Sequence, residues 1–441
     1  MKRLLPLLAL LCLLGVSPAR AAGPTLLIGA AEDDVKQATL ADASAKMQLL
    51  RLAGFQAVRI TSIWAPGLTS PTAAEQTRLA NVAAAAKLTG MQVYVVVMNL
   101  GSQTTPLSDA QQADFAAYAA ALVRRNRSFA NVIVGNEPNL NRFWLPQYGT
   151  AGENVAAPAY ESLLAKTYDA LKAVDRKITV IGGAVSPRGV DKPNTGRDTH
   201  SPTTFIADLG SAYRASGRTT PIMDALAIHP YEDNSSLAPT FQHPNSSTIA
   251  IADYGKLVSI LGKAFDGTAQ PGSTLPIVYG EFGVESQIPA EKSALYTGTE
   301  PTTTKPVDET TQGLYYRQAV ALAFCQPTVQ AIFIFHAFDE ASLDRWQSGV
   351  YYADDTPKSS LQEVQRAIRD SQGGIIARCP GLALTPHAKV SYPRGAALAT
   401  VPLAVTLTCD VDCNYRVRLE KLPRHSTTLG VSGHAAARIP T

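Results

Sequence analysis

Two glutamates stand where a folded chain could use them for chemistry. Glu137 follows the apolar run Asn131-Val132-Ile133-Val134 and sits in the turn Gly135-Asn136-Glu137-Pro138-Asn139. Glu281 follows Ile277-Val278-Tyr279-Gly280 and precedes Phe282-Gly283. An apolar run that breaks into turn residues is how a buried parallel strand delivers a side chain to its C-terminal edge. Two carboxyl groups brought to one place can protonate a leaving oxygen and attack the carbon that carried it. That is what cleavage of a glycosidic bond requires.

The elements around them must bring the two together. Strands are expected at about 26–30, 57–61, 93–97, 131–134, 178–183, 225–228, 277–280 and 331–335. Helices are expected between and after them, at about 35–52, 71–88, 108–125, 157–174, 202–216, 249–264, 310–324 and 360–370. Gly54 and Gly90 close the first two helices, and Ser108 with Gln111 has the spacing of a capping box. The strands are continuous apolar runs, so both faces are buried. Eight strand-then-helix units predict a (β/α)8 TIM barrel. A doubly wound open sheet is the rival, but no Gly-rich phosphate loop follows the first strand.

The 441 residues exceed what one ordinary domain needs. Residues 1–22 read as an export signal: Lys2-Arg3, an apolar core from 4 to 16, then Pro18-Ala19-Arg20-Ala21-Ala22. The apolar run is short for a membrane anchor, so a secreted protein is expected. Residues 23–371 form the barrel. Residues 372–441 carry short β-prone runs separated by proline and glycine, which predicts a small all-β, sandwich-like module. Of the five cysteines, Cys12 lies in the signal. The favoured pairings of the other four are Cys409 with Cys413 and Cys325 with Cys379; their spacing fits no zinc pattern. A net charge of +3 without a basic, aromatic-interleaved cluster excludes nucleic acid as a partner. No run after the signal is long enough to cross a bilayer. A monomer acting on carbohydrate is expected, with no metal or organic cofactor.

Arg59, Asn136, Glu137, His229, Tyr231 and Glu281 all fall at the expected C-terminal strand ends, where barrel active sites lie. This constellation resembles glycoside hydrolase clan A, the retaining (β/α)8 hydrolases. The Asn-Glu-Pro-Asn form is most similar to families five and thirty-nine of that clan. The resemblance implies that Glu137, at strand four, is the acid/base and Glu281, at strand seven, the nucleophile. It implies that Arg59 and Tyr231 hydrogen-bond Glu281, that His229 lines the same wall, and that Asn136 holds the sugar 2-hydroxyl. Each residue also has a plainer reading. Asn-Glu-Pro is a common turn, Arg59 a structural ion-pair partner, and His229 a satisfied buried histidine. Glu285 is a rival nucleophile, and Glu32, Asp33 and Asp34 read as a solvated loop.

Trp64, Trp144, Tyr148 and Trp346 follow strands and so fall on the site side, with Trp144 and Trp346 favoured for sugar contact. Many clan members end strand eight with a tryptophan under the bound sugar. Here the sequence is Phe335-His336-Ala337-Phe338-Asp339-Glu340. Phe335, His336 or Trp346 takes that place, and Asp339 and Glu340 become candidates for sugar hydroxyls. The expected activity is a retaining glycoside hydrolase that cleaves an oligo- or polysaccharide through a glycosyl-enzyme. The alternatives are a transglycosylase on the same site, a non-catalytic carbohydrate-binding barrel, and an interaction protein that works through its C-terminal module.

Overall fold

A computed structural model describes residues 23–376 and four further strands, at 387–391, 404–408, 413–418 and 430–435. The first part is an eight-stranded parallel barrel. Its strands are β1 (Leu27–Ala31), β2 (Ala57–Trp64), β3 (Gln92–Asn99), β4 (Asn131–Val134), β5 (Thr179–Val185), β6 (Ala225–Ile228), β7 (Ile277–Phe282) and β8 (Val329–Phe335). Each pairs with the next in sequence, and β8 closes on β1 in parallel, with Leu27 opposite Ala331. The helices are α1 (Leu40–Leu52), α2 (Ala73–Thr89), α3 (Asp109–Arg125), α4 (Ala156–Val174), α5 (Pro202–Ala215), α6 (Tyr254–Phe265), α7 (Glu309–Phe324) and α8 (Leu361–Gln372). The expected (β/α)8 TIM barrel is the observed one.

Local chemistry sets the element ends. Ser108 and Gln111 form the capping box of α3, and Gly90 ends α2 in a left-handed conformation at φ 71°. The first helix starts later than its alanine-rich pattern suggests. Residues Asp33–Val35 instead form a short 3-10 turn capped by Glu32, and Thr39 caps α1.

The core has two layers. Ala57, Val96, Ile133, Ala227, Val278 and Phe333 are among the side chains that fill the barrel interior. Leu, Ile, Val and aromatic residues pack between the sheet and the helices. Side chains alternate along a strand with period two. Two residues beyond inward Ala57, Ala227 and Phe333 come Arg59, His229 and Phe335. Core packing therefore also decides which polar residues emerge at the top of the barrel.

Beyond the barrel, β9 (His387–Ser391) pairs antiparallel with β10 (Ala404–Thr408), and β11 (Cys413–Arg418) with β12 (Gly430–Ala435). The expected export segment lies outside the described residues, and each expected cysteine pair includes a cysteine that does too. Among the described residues no helix is long and apolar enough to cross a membrane.

Candidate active site

A cavity of about 590 Å³ opens at the C-terminal end of the barrel, and its lining includes Arg59, Asn136, Glu137, Tyr231 and Glu281. Glu137 is set by backbone strain. Its φ is 41°, a left-handed conformation that non-glycine residues rarely adopt. The surroundings hold it there. Gly135 N donates to Val97 O at 2.8 Å, and Glu137 N donates to Ala184 O at 2.8 Å, where β5 bulges. The Tyr160 ring lies 3.1 Å from where a Cβ on Gly135 would stand, so that turn has no room for a side chain. The Tyr160 hydroxyl donates to Val134 O and accepts from Gly183 N, each at 2.7 Å.

Glu281 sits near the end of β7 among donors. Arg59 Nη1 lies 2.9 Å from its Oε1. The Tyr231 hydroxyl donates to its Oε2 at 3.0 Å. Arg59 Nη2 also donates to Asn136 Oδ1 at 3.3 Å, which ties β2 to the β4 turn. Burial alone would raise the Glu281 pKa. The charges of His229 and Arg59 and the Tyr231 hydrogen bond outweigh it, so the carboxyl is held below its ordinary value. Burial, with the charges of Glu281 and Glu137, pushes the Tyr231 phenol well up, so Tyr231 stays a donor.

His229 joins the two acids. Its Nδ1 lies 3.1 Å from Glu137 Oε1 and 3.5 Å from Glu281 Oε2. Those two oxygens can be no further apart than the two distances laid end to end, 6.6 Å. The imidazole is fully buried, and Gly280 makes room for it. A Cβ there would stand 3.1 Å from two ring atoms.

The aromatic expectations divide. Trp346 lines the cavity, with its ring 5.2 Å from Tyr231 and 5.2 Å from Phe335. Phe335 and His336 line it too. Trp64 and Trp144 do not, which corrects the expectation that they face sugar. Trp64 packs against Phe115, and its Nε1 donates to Leu68 O at 2.8 Å. Trp144 is 1% exposed and meets Tyr160 edge-on. Trp64 is the last residue of β2 and shares the outward face of Val58 and Ile60, while Trp144 lies in the loop after β4; both indoles are buried in the layer between sheet and helices. Tyr148 packs against the His200 ring at a tilt and donates to Thr199 O at 3.1 Å, also away from the cavity lining.

Three acidic residues differ from expectation. Glu32 is no solvated loop residue. It is 6% exposed, lines the cavity, and its Oε2 accepts from Ala337 N and Phe338 N at 3.1 Å. Asp339 is taken up by a fully buried ion pair with Lys358 at 2.7 Å, so it does not reach for sugar. Glu285 lies beyond β7 but is buried against the cavity. Burial first, then the charges of Glu300 and Asp339, lifts its carboxyl to about 7. Glu340 lines the cavity and accepts from Trp346 N at 3.1 Å.

Sequence reasoning passed over Asn139, although it stands in the strand-four motif. It is fully buried; its Nδ2 donates to His200 O at 2.9 Å, and its Oδ1 accepts from Ser186 N at 2.9 Å. It pins the β4 loop to the β5 loop. Arg142 and Arg188 in the cavity wall gave no sequence signal. No group of three His, Cys, Asp or Glu among the described residues is arranged to hold a metal ion.

Comparison with models of known protein families finds no match, and neither does comparison with curated proteins. Solved structures do resemble the chain. The GH39 enzyme from Xanthomonas axonopodis pv. citri is 14% identical, with 93% of this chain and 74% of that one covered at a TM-score of 0.51. A monomeric beta-xylosidase from Caulobacter crescentus CB15 is 14% identical, with 93% and 77% covered at 0.50. GH5_18 from Streptomyces cattleya, solved in complex with GlcNAc, is 17% identical, with 80% and 81% covered at 0.51. At such identities the likeness is one of fold, and the chain is a (β/α)8 barrel of the kind these glycosidases share.

Proposed function

We propose that the chain is a glycoside hydrolase that cleaves O-glycosidic bonds of an oligo- or polysaccharide with retention of anomeric configuration. One observation carries this reading: His229 bridges Glu137 and Glu281, while of the two acids Arg59 and Tyr231 serve only Glu281. The asymmetry assigns the roles. Glu281, held ionised, attacks the anomeric carbon. As the glycosidic C–O bond breaks, Glu137 gives its proton to the leaving oxygen. Water then attacks the glycosyl-enzyme ester and passes a proton to Glu137, and the Glu281 carboxylate departs.

The 6.6 Å ceiling on this pair of oxygens sits at the very bottom of the range of about 6.5 to 9.5 Å that inverting enzymes hold between their carboxyls, which favours direct attack by a carboxylate. Asn136, held by Arg59, is the candidate for the sugar 2-hydroxyl. The export signal read in residues 1–22 is part of the proposal and puts the activity outside the cytoplasm.

The test is a panel of 4-nitrophenyl glycosides, with proton NMR of the first sugar anomer released. Retention with the substrate that reacts supports the reading, and an inverted first product overturns the mechanism. Glu281→Gln should lose about 10⁴-fold or more in kcat, and in Glu281→Ala, which leaves room for an external nucleophile, azide should restore part of the loss as a glycosyl azide of opposite configuration. Equal turnover by wild type and Glu281→Gln removes Glu281 as nucleophile.

A further inference from the structure

A second cavity, of about 640 Å³, adjoins the first. The two share Glu32, Asp33, His336, Glu340 and Arg345 in their walls. Both volumes lie in the range of small-molecule sites, about 300 to 1,000 Å³. The outer chamber is built from the end of β1 and the loop after β8. In the closed barrel those strands lie across from β4, which carries Glu137. Glu137 is the proposed proton donor to the leaving group, so the leaving group lies on the β4 side. The outer chamber is therefore on the other side of the bond to be cleaved.

The chamber's polar groups are not equally available. Glu32 accepts from Ala337 N, Phe338 N and Asp34 N. Asp33 accepts from Thr61 N at 2.7 Å. Asp34 pairs with Lys46, and Asp339 with Lys358. Glu32 and Asp339 are thus committed on both carboxyl oxygens, whereas Asp33 and Asp34 each keep one oxygen. Glu340 gives one oxygen to Trp346 N and keeps the other. His336 spends Nδ1 on Ala31 O, leaving Nε2. The Arg345 side chain is exposed and has no hydrogen bond or ion pair among the described residues. What remains is one cation, three carboxylate oxygens and one imidazole nitrogen. This mix of donors and acceptors suits the hydroxyls of a neutral sugar; an anionic sugar would meet the chamber's carboxylates.

We infer that the outer chamber is a subsite for a second, neutral sugar ring on the non-leaving side of the cleaved bond, so that the protein acts on chains and releases units of at least two sugars. This rests on the glycosidase reading above. The loop that carries Glu340, Arg345 and Trp346 is then the shared wall of the two subsites. Trp346 faces the catalytic chamber, and Arg345 faces both.

The test uses 4-nitrophenyl β-glycosides of one, two and three β-1,4-linked xylose, glucose or mannose units. The expected result in wild type is a kcat/KM about 100-fold higher for the two-unit substrate than for the one-unit substrate of the best series. Ala341→Trp fills the chamber wall away from the catalytic pair. It should cut that ratio to within about threefold of one and leave the one-unit rate unchanged. Arg345→Ala should lower the ratio about tenfold. A wild-type ratio near one, or a ratio untouched by Ala341→Trp, overturns the inference. Calorimetry on Glu281→Gln with xylose, xylotriose, cellotriose and mannotriose separates this failure from failure of the hydrolase reading. If no glycoside is turned over but one trisaccharide binds at least about tenfold tighter than a single sugar, and Ala341→Trp abolishes the gain, the subsite stands without the hydrolase. Equal affinity for one and three units overturns the subsite.

Discussion

The Arg59 guanidinium lies 2.9 Å from one oxygen of Glu281, and the arginine is itself 4% exposed. Neither charge is well placed without the other. Burial pushes the glutamate toward its neutral form, and the electrostatic pull of His229 and Arg59 pushes it back. Removing Arg59 should therefore raise the Glu281 pKa. A nucleophile must be ionised, so the acidic limb of the kcat/KM profile of Arg59→Gln, which removes the charge, should move to higher pH. Arg59→Lys keeps the charge but offers one point charge in place of a fork, so its kcat at the optimum should fall about 10²- to 10³-fold. An acidic limb that stays in place in Arg59→Gln would show that Arg59 does not set the charge of Glu281.

Gly280 should be a catalytic-geometry position despite having no side chain. A methyl group there would lie 3.1 Å from His229 and 3.8 Å from Arg59 Nε. The imidazole is fully buried and cannot retreat into solvent. Gly280→Ala should displace the bridge between Glu137 and Glu281, lowering kcat tenfold or more. Circular dichroism and a melting temperature within a few degrees of wild type would show that the fold survives. Full activity in this variant would mean that the bridge is dispensable.

The barrel and its central pair were legible because both follow from short-range signals. Continuous apolar strands, glycine stops and the Ser108 cap are local, and they fix how often a strand edge appears. Glu137 and Glu281 then fall at such edges by counting. Trp64 and Trp144 depart from expectation because neither strand length nor loop direction is a local signal: β2 runs on to Trp64, whose place in the alternation turns it outward with Val58 and Ile60, and the loop after β4 folds Trp144 inward. A large apolar ring turns inward wherever the helix layer offers a slot, and that slot is made by distant residues such as Phe115 and Tyr160. The commitment of Asp339 to Lys358 was invisible for a related reason: the two lie in one loop region, and nothing local marks either as buried. Asn139 was visible in the motif, but its partners, Ser186 and His200, belong to another loop.

The Lys358–Asp339 pair should matter for stability through the cost of breaking it. Lys358 Nζ also donates to Ser286 Oγ and Gln347 O, and Tyr296 donates to Asp339. The pair thus joins the β7 and β8 loops behind Trp346. Lys358→Met leaves a buried carboxylate without its cation and should cost about 3 to 5 kcal/mol in urea unfolding. The double variant Lys358→Met with Asp339→Leu removes both charges and should recover part of that loss. A double variant that loses, relative to wild type, as much stability as the two single variants together would contradict this account.

Glu232 should make stability depend on pH in the neutral range. It is 8% exposed, and neither carboxyl oxygen has a hydrogen-bond partner. Burial first, then the charges of Asp253 and Asp233, lifts its carboxyl to about 8, against a partial offset from Arg188. The folded protein then holds a proton that the unfolded chain gives up above about pH 4.3. The stabilising contribution is complete below that pH and falls by about 1.4 kcal/mol per pH unit as pH rises, levelling off above about 8. Glu285, lifted to about 7, contributes in the same direction over a narrower window. Glu232→Gln keeps the shape and removes the titration. Its melting temperature should match wild type near pH 4 and exceed it near pH 8.5, because only the wild type must then bury a charge. Parallel curves for the two proteins from pH 5 to 9 would show that Glu232 is already ionised in the fold.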